Sequence, residues 1–211
     1  MFHHVTIHVR DLEASERFYT PLLETLGHPV TNRATGRVGW RDFWIEGASS
    51  DMLPTARLHI GFAAPSIDAV DRFWQEGVEH GYTDGGAPGP RPEYGRDYYG
   101  AFLLDPDGLS AEAVRHDSLR RGGAIDHLWI RVADVAAARR FYLGLARDAG
   151  WTLAADLPER ARFTGGNGSF SVVAGEPARN VHMAFATGTR RDRLRDPDGN
   201  VVELLGRDSA R

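Results

Sequence analysis

Two histidines and a carboxylate recur at matched spacing along this chain of 211 residues. His4 and His59 are 55 positions apart, as are His127 and His182, and each pair is followed by a glutamate in the same setting: Asp105-Pro-Asp-Gly-Leu-Ser-Ala-Glu112 and Asp196-Pro-Asp-Gly-Asn-Val-Val-Glu203. Two imidazoles and one carboxylate are donors that hold a divalent metal while leaving part of its coordination sphere open to a substrate. The spacing therefore offers two candidate metal sets, His4 with His59 and Glu112, and His127 with His182 and Glu203. The chain has no cysteine, so disulfides and thiolate ligands are excluded and any ion is held by nitrogen and oxygen. Such donors suit Fe, Mn, Ni, Co or Zn without choosing among them.

The recurrence extends well beyond the ligands. Residues 4–27 and 127–150 superpose without a gap at an offset of 123, matching His4/His127, Ile7/Ile130, Val9/Val132, Asp11/Asp134, Arg17/Arg140, Phe18/Phe141, Tyr19/Tyr142 and Gly27/Gly150. This is an internal duplication. Within each half a weaker echo follows: Leu58-His-Ile-Gly-Phe, then Val70, Phe73, Trp74 and Gly81, repeats the same strand-then-helix order. The expectation is an α+β chain of four tandem βαβββ modules. The halves are read as domains at 1–116 and 124–211, with a polar linker at 117–123. In the fourth module His182 and Glu203 are only 21 positions apart, against 53 for His59 and Glu112, so a helix and a strand are missing and this module is truncated.

Local patterns place the elements. Val5, Ile7 and Val9 alternate with His4, Thr6, His8 and Arg10, which predicts a strand with one buried and one polar face. Asp11 is a helix cap, followed by Leu12, Ser15, Phe18, Tyr19, Leu22, Leu23 and Leu26 at helical spacing, with Gly27 as the stop. Short strands are expected at 36–40 and 42–46, a helix at 66–80, a Gly- and Pro-rich loop at 84–92, strands at 98–104 and 109–114, and a last strand of the third module at 169–173. Each Asp-Pro-Asp-Gly is a tight turn. In all four opening strands the histidine face is small or polar and the other face apolar, so each histidine points away from its own helix. If paired modules set their curved sheets face to face, the histidines converge across a cavity. Which modules pair is open: first with second and third with fourth, or crosswise.

Composition limits the function. The net charge of −4 lacks the basic surplus of a nucleic-acid binder. The first residues already read as a strand, leaving no room for an export signal, and no apolar stretch is long enough to cross a bilayer, so no membrane role and a cytoplasmic location are expected. Without a helix of its own the fourth module needs a cover for Val181, Met183, Phe185, Val202 and Leu204, or a homodimer forms through the shortened second half.

These residues resemble the vicinal oxygen chelate superfamily, which includes glyoxalase I, extradiol dioxygenases and bleomycin-resistance proteins. The signature His4-Val-Thr-Ile-His-Val-Arg-Asp-Leu-Glu-Ala-Ser-Glu-Arg-Phe-Tyr and the ending Asp105-Pro-Asp-Gly-Leu-Ser-Ala-Glu112 carry the resemblance, and both recur in the second half. It implies the glyoxalase/bleomycin resistance/dihydroxybiphenyl dioxygenase fold and a metal that chelates two neighbouring oxygens of a small substrate. His4, His59 and Glu112 match the family's ligand positions. The chain departs from glyoxalase I at the fourth ligand, for which Asp42 and Glu46 are the candidates. Three ligands resemble the extradiol dioxygenases, which need an acid/base group and an anion-stabilising donor; His8, Tyr98, Tyr99 and Arg91 are the candidates beside Glu112. The leading reading is a metal-dependent lyase, isomerase or dioxygenase. The alternative is a metal-free protein that sequesters a small molecule against Trp40, Trp44, Tyr98 and Trp129, and a third reading makes the second half an interaction surface.

Overall fold

Alternation in the first residues produces a strand whose apolar side is shut away from water: Val5, Ile7 and Val9 are fully buried. Asp11 then caps the first helix as its type predicts, its carboxylate accepting from the Ala14 N–H at 2.9 Å. The computed structural model describes residues 2–118, 122–166 and 168–206. In chain order the elements are β1 (Phe2–Val9), α1 (Leu12–Thr25), β2 (Asn32–Ala34), β3 (Arg37–Trp40) and β4 (Phe43–Gly47), followed by β5 (Leu58–Ala63), α2 (Ile67–Glu79), β6 (Thr83–Pro90), β7 (Tyr99–Leu104) and β8 (Ser110–Arg115). The second half contains β9 (Ile125–Val132), α3 (Val135–Ala149), β10 (Trp151–Leu157), β11 (Arg160–Gly165), β12 (Gly168–Ala174), β13 (Val181–Ala186), β14 (Asp192–Arg195) and β15 (Val201–Leu205). No helix among the described residues is long and apolar enough to cross a membrane.

The module-opening strands and those expected at 36–40, 42–46, 98–104, 109–114 and 169–173 are present within a few residues of their expected bounds, but the segment at 84–92 is not a loop. It belongs to β6, an edge strand that pairs with β7 alone and has register shifts on both sides of Gly86. Pro and Gly are tolerated there because an edge strand has one row of backbone groups with no partner to satisfy.

The strands form two sheets. One has seven strands in the order β14-β15-β13-β1-β4-β3-β2; the other has eight, in the order β10-β11-β12-β9-β5-β8-β7-β6. Each sheet therefore draws strands from both halves of the chain. The boundaries 1–116 and 124–211 describe the sequence repeat, while the sheets form across it; of the linker at 117–123, residues 119–121 lie outside the described residues. Pairing is edge to edge rather than face to face. β5 runs antiparallel to β9 and β1 antiparallel to β13, each pair side by side within one sheet.

The apolar faces of the two sheets share one core. Phe43 and Phe62 meet across it with ring centroids 5.0 Å apart, Phe2 and Phe170 at 6.4 Å, and Phe170 and Phe185 at 5.9 Å. α1 and α2 pack against each other within this layer. The polar, histidine-bearing faces are consequently turned away from the core. The strand group β13–β15 has no helix of its own, yet Val181, Met183, Phe185, Val202 and Leu204 are all buried. Trp151 packs edge-on to Phe185 at 4.6 Å and to Phe170 at 5.3 Å, and supplies the cover from within the chain. The open apolar face on which a homodimer was expected is thus closed among the described residues.

Trp151 also donates its indole N–H to the Tyr142 carbonyl at 3.1 Å. Trp151→Ala is expected to lower the unfolding free energy by about 3–5 kcal/mol in urea titrations. A loss under about 1 kcal/mol would show that some other group covers β13 and β15.

Candidate metal centre

The pairing of β5 with β9 decides which ligands meet. In that ladder Gly61 stands opposite His127 and His59 opposite Trp129, while in the parallel ladder with β8 Gly61 is level with Glu112 and His59 with Ser110. Three neighbouring strands thus present His59, Glu112 and His127 on one face. Their donor atoms converge: His59 Nε2 is 3.0 Å from Glu112 Oε2, His127 Nε2 is 3.3 Å from the same oxygen, and the two imidazole nitrogens are 3.2 Å apart. Donors that share an ion at about 2.1 Å sit roughly 3.0–3.4 Å from one another. This triangle fits a divalent cation, and among the described residues no other His, Asp or Glu group brings three donors so close.

Each ligand is held from behind. Ser110 Oγ lies 2.9 Å from His59 Nδ1, Asp126 Oδ2 lies 3.0 Å from His127 Nδ1 and 3.1 Å from His116 Nε2, and the Tyr98 hydroxyl donates to Glu112 Oε1 at 2.8 Å. Such partners fix ring orientation and leave one carboxylate oxygen for the ion. Glycines make the room. A β-carbon at position 61 would lie 2.8 Å from His127 Nε2 and closer still to Cε1 and Nδ1 of the same ring, and one at position 100 would lie 2.5 Å from Glu112 Oε1.

The electrostatics favour a cation. Glu112 is 1% exposed and its partners are two histidines and a phenol, with no arginine among the described residues. Burial pushes its pKa up, but hydrogen bonds with His127 and His59 bring it down to about 2. Burial opposes charge on His127, yet its bonds to Asp126 and Glu112 lift its pKa to about 9, whereas His59 is lowered mainly by burial. Without an ion, one positive charge is therefore kept on His127 between two carboxylates. A buried carboxylate without a permanent cation is costly, and a divalent ion supplies that cation.

The seven-stranded sheet contains the same design in weaker form. His182 corresponds to His59, Ala184 to Gly61 and His4 to His127, all at the offset of 123, and Ala184 stands opposite His4 and level with Glu203. His182 Nε2 and Glu203 Oε2 are 2.9 Å apart, but His4 meets His182 only as an edge-on ring at 5.3 Å and turns its Nδ1 to His3 at 2.9 Å. Three differences account for this. Ala184 has the β-carbon that Gly61 lacks, His3 stands where Asp126 holds His127, and Val201 stands where Ser110 holds His59. Burial and the neighbouring His182 lower the pKa of His4 to about 4.

Both ligand sets expected from spacing are therefore split between the sheets. His59 and Glu112 meet, but their third partner is His127, and His4 belongs with His182 and Glu203 on the other sheet. Of the remaining candidates, Tyr98 sits in the site through Glu112, whereas His8 lies on the first sheet beside Glu46. Arg91 turns to the Ala87 and Pro90 carbonyls, and Tyr99 donates to Asp71. Neither proposed fourth ligand reaches the ion site: Asp42 accepts the backbone N–H groups of Ala124 and Ile125, and Glu46 is level with His8 on the first sheet. Trp40 is fully buried in the core and Trp44 lies under Arg37, leaving Tyr98 and Trp129 at the site. Ser110, His116 and Asp126 join the site without any signal from the ligand spacing. The one available signal was Asp126-His127 standing where the first half has His3-His4.

Gly61→Ala is expected to abolish tight metal binding while the protein still folds, checked by equilibrium dialysis beside circular dichroism; retained affinity would show that His127 does not need that space. Tyr98→Phe, which frees Glu112 Oε1, is expected to weaken metal binding about 10- to 100-fold, and an unchanged dissociation constant would remove Tyr98 from the site.

A cleft of about 850 Å³ opens over the three ligands. The family model described as the Glyoxalase/Bleomycin resistance protein/Dioxygenase superfamily matches residues 1–113. Glyoxalase I from Zea mays is similar in structure over 97% of this chain and 92% of its own, with a TM-score of 0.64 and 16% identity. A candidate dioxygenase from Bacillus subtilis aligns over 96% of this chain and 84% of its own, with a TM-score of 0.63 and 10% identity. At such identities these two likenesses show the fold alone. A glyoxalase/bleomycin resistance protein from Albidiferax ferrireducens T118 is 34% identical over 55% of this chain and 98% of its own, with a TM-score of 0.48. No curated protein matches the sequence significantly. With more than half of its length matched by the family model and the paired sheets in place, the chain belongs to the glyoxalase/bleomycin resistance protein/dioxygenase superfamily.

Proposed function

We propose that this protein is a metal-dependent enzyme acting on a small substrate with two neighbouring oxygens, with His59, Glu112 and His127 as the metal ligands. The observation that carries this reading is the closed triangle of donors, each held by its own hydrogen-bond partner, at the floor of a cleft. A bound divalent ion would act there as a Lewis acid on the substrate oxygens. Two histidines and one carboxylate, with no fourth protein donor among the described residues, are the set used by non-haem Fe(II) oxygenases, which favours dioxygenase chemistry over the four-ligand alternative.

The chain's own groups have definite parts. Tyr98 Oη is bonded to Glu112 Oε1, and burial beside that carboxylate pushes its pKa far up, so it stays a neutral donor that fixes the carboxylate. Asp126 holds His127 Nδ1, leaving Nε2 for the ion. Trp129 packs edge-on to Tyr94 at 5.7 Å and to His59 at 6.2 Å, making an apolar wall for a planar substrate beside the ligands.

Elemental analysis of the purified, untagged protein tests the reading. About one divalent ion per chain is expected, judged against one three-ligand set, lost in His59→Ala and in His127→Ala and retained in His4→Ala and His182→Ala. Failure to take up Fe(II), Mn(II) or Zn(II) after reconstitution overturns the enzyme reading and leaves sequestration of a small molecule against Tyr94, Tyr98 and Trp129.

A further inference from the structure

One end of the cleft has a charge pattern that metal binding does not require. Reading across the eight-stranded sheet, His127 is level with Ser169, Trp129 with Ser171 and Arg131 with Val173; on β11, Arg162 is opposite Ser171 and Arg160 opposite Val173. Arg131, Arg160 and Arg162 all line the cleft. The row beyond Trp129 is thus Arg131, Val173, Arg160, with Arg162 beside it. None of the three forms an ion pair with a carboxylate among the described residues. Arg160 lies over the Trp129 ring at 5.9 Å, and its Nε is shielded from solvent with no hydrogen-bond partner.

The first sheet provides an internal control. There the corresponding row is His8, Glu46 and Arg37: Glu46 is level with His8 and opposite Arg37. Arg37 stacks on Trp44 at 5.2 Å much as Arg160 stacks on Trp129. The carboxylate that faces the arginine in one sheet is replaced in the other by Val173, and the histidine by Arg131. The row on the first sheet keeps its own counter-charge, and the row on the second has exchanged it for a second cation. Of the carboxylates that line the cleft, Glu112 and Asp126 are engaged by histidines. Guanidinium groups at one end of a cavity repel one another, and an anion that bridges them relieves the repulsion while taking their forked N–H groups in bidentate fashion.

We propose that Arg131, Arg160 and Arg162 form an anion subsite for a carboxylate or phosphate group of the substrate, held two rows along β9 from the metal-binding His127. His127 and Arg131 are four residues apart on one strand, about 13 Å between backbone positions, and the arginine side chain spans part of that distance. The substrate class is therefore a small planar molecule with neighbouring oxygens at one end and an acidic group at the other, with Trp129 between. That the anion belongs to a substrate rests on the enzyme reading above; the anion subsite does not need the metal.

The test is isothermal titration of the metal-free, untagged protein with inorganic phosphate and, separately, with succinate, each against sodium chloride at matched ionic strength, with metal uptake measured on the same preparation. Saturable binding is expected for at least one anion, weakened about tenfold or more in Arg160→Gln and in Val173→Glu, which restores the carboxylate found in the first sheet. Binding of phosphate alone assigns a phosphate ester, of succinate alone a carboxylate, and of both the shared anion chemistry. Absence of saturable binding, or equal affinity in both variants, overturns the subsite. Anion binding without metal uptake keeps the subsite and sinks the metal reading; metal uptake without anion binding does the reverse.

Discussion

The site depends on one neighbour relation, the antiparallel pairing of β5 with β9. That ladder sets Gly61 against His127 and, through β8, brings Glu112 to the same level. A slip of one residue would send His127 to the apolar core and Leu128 to the cleft, because strand side chains alternate. The register is held by the buried face: Ile60 pairs with Leu128 and Leu58 with Ile130, all buried. The hydrophobic core therefore fixes the register that aligns the ligands, and the absence of a β-carbon at Gly61 lets the ring of His127 close the triangle.

The two sheets show how one ancestral pattern supports different outcomes. Both retain two histidines and a glutamate on the polar face, and in both an arginine stacks on a tryptophan, although Trp129 is on β9 and Trp44 on β4, at positions that do not correspond. Around those constants small changes accumulate: Gly61 against Ala184, Asp126 against His3, Ser110 against Val201 and Val173 against Glu46. None is dramatic alone. Together they bear on whether donors are oriented, whether they have room, and whether the arginine opposite has a carboxylate facing it.

Much of the fold was legible because alternation and helix capping are local. The caps at Asp11, Ser66 and Asp134 and the faces of β1, β5 and β9 follow from residues within one turn or one pleat. His59 and Glu112 were legible as partners because they lie on adjacent strands of one unit. His127 was not, because its pairing with them is decided by which strand edges meet, and spacing within a half does not encode that. β6 was hidden by its glycines and prolines, which an edge position tolerates. The arginine row was invisible because β9 and β11 are brought together only through the register of β12, which the sequence pattern does not give.

The crosswise sheets also set an order of events along the chain. The eight-stranded sheet is built from one continuous stretch, β5 to β12, whereas the seven-stranded sheet joins the first strand group to the last, with β1 against β13. Contacts between residues distant in sequence form late, since the loop between them must be closed first. On a ribosome the eight-stranded sheet has all of its strands while β13 to β15 are still to be made, and until they arrive β1 presents an open edge and Trp151 an uncovered ring. The arrival of β13 to β15 thus closes the β1 edge and covers the Trp151 ring, and the time until then is when the nascent chain is open to edge-to-edge association.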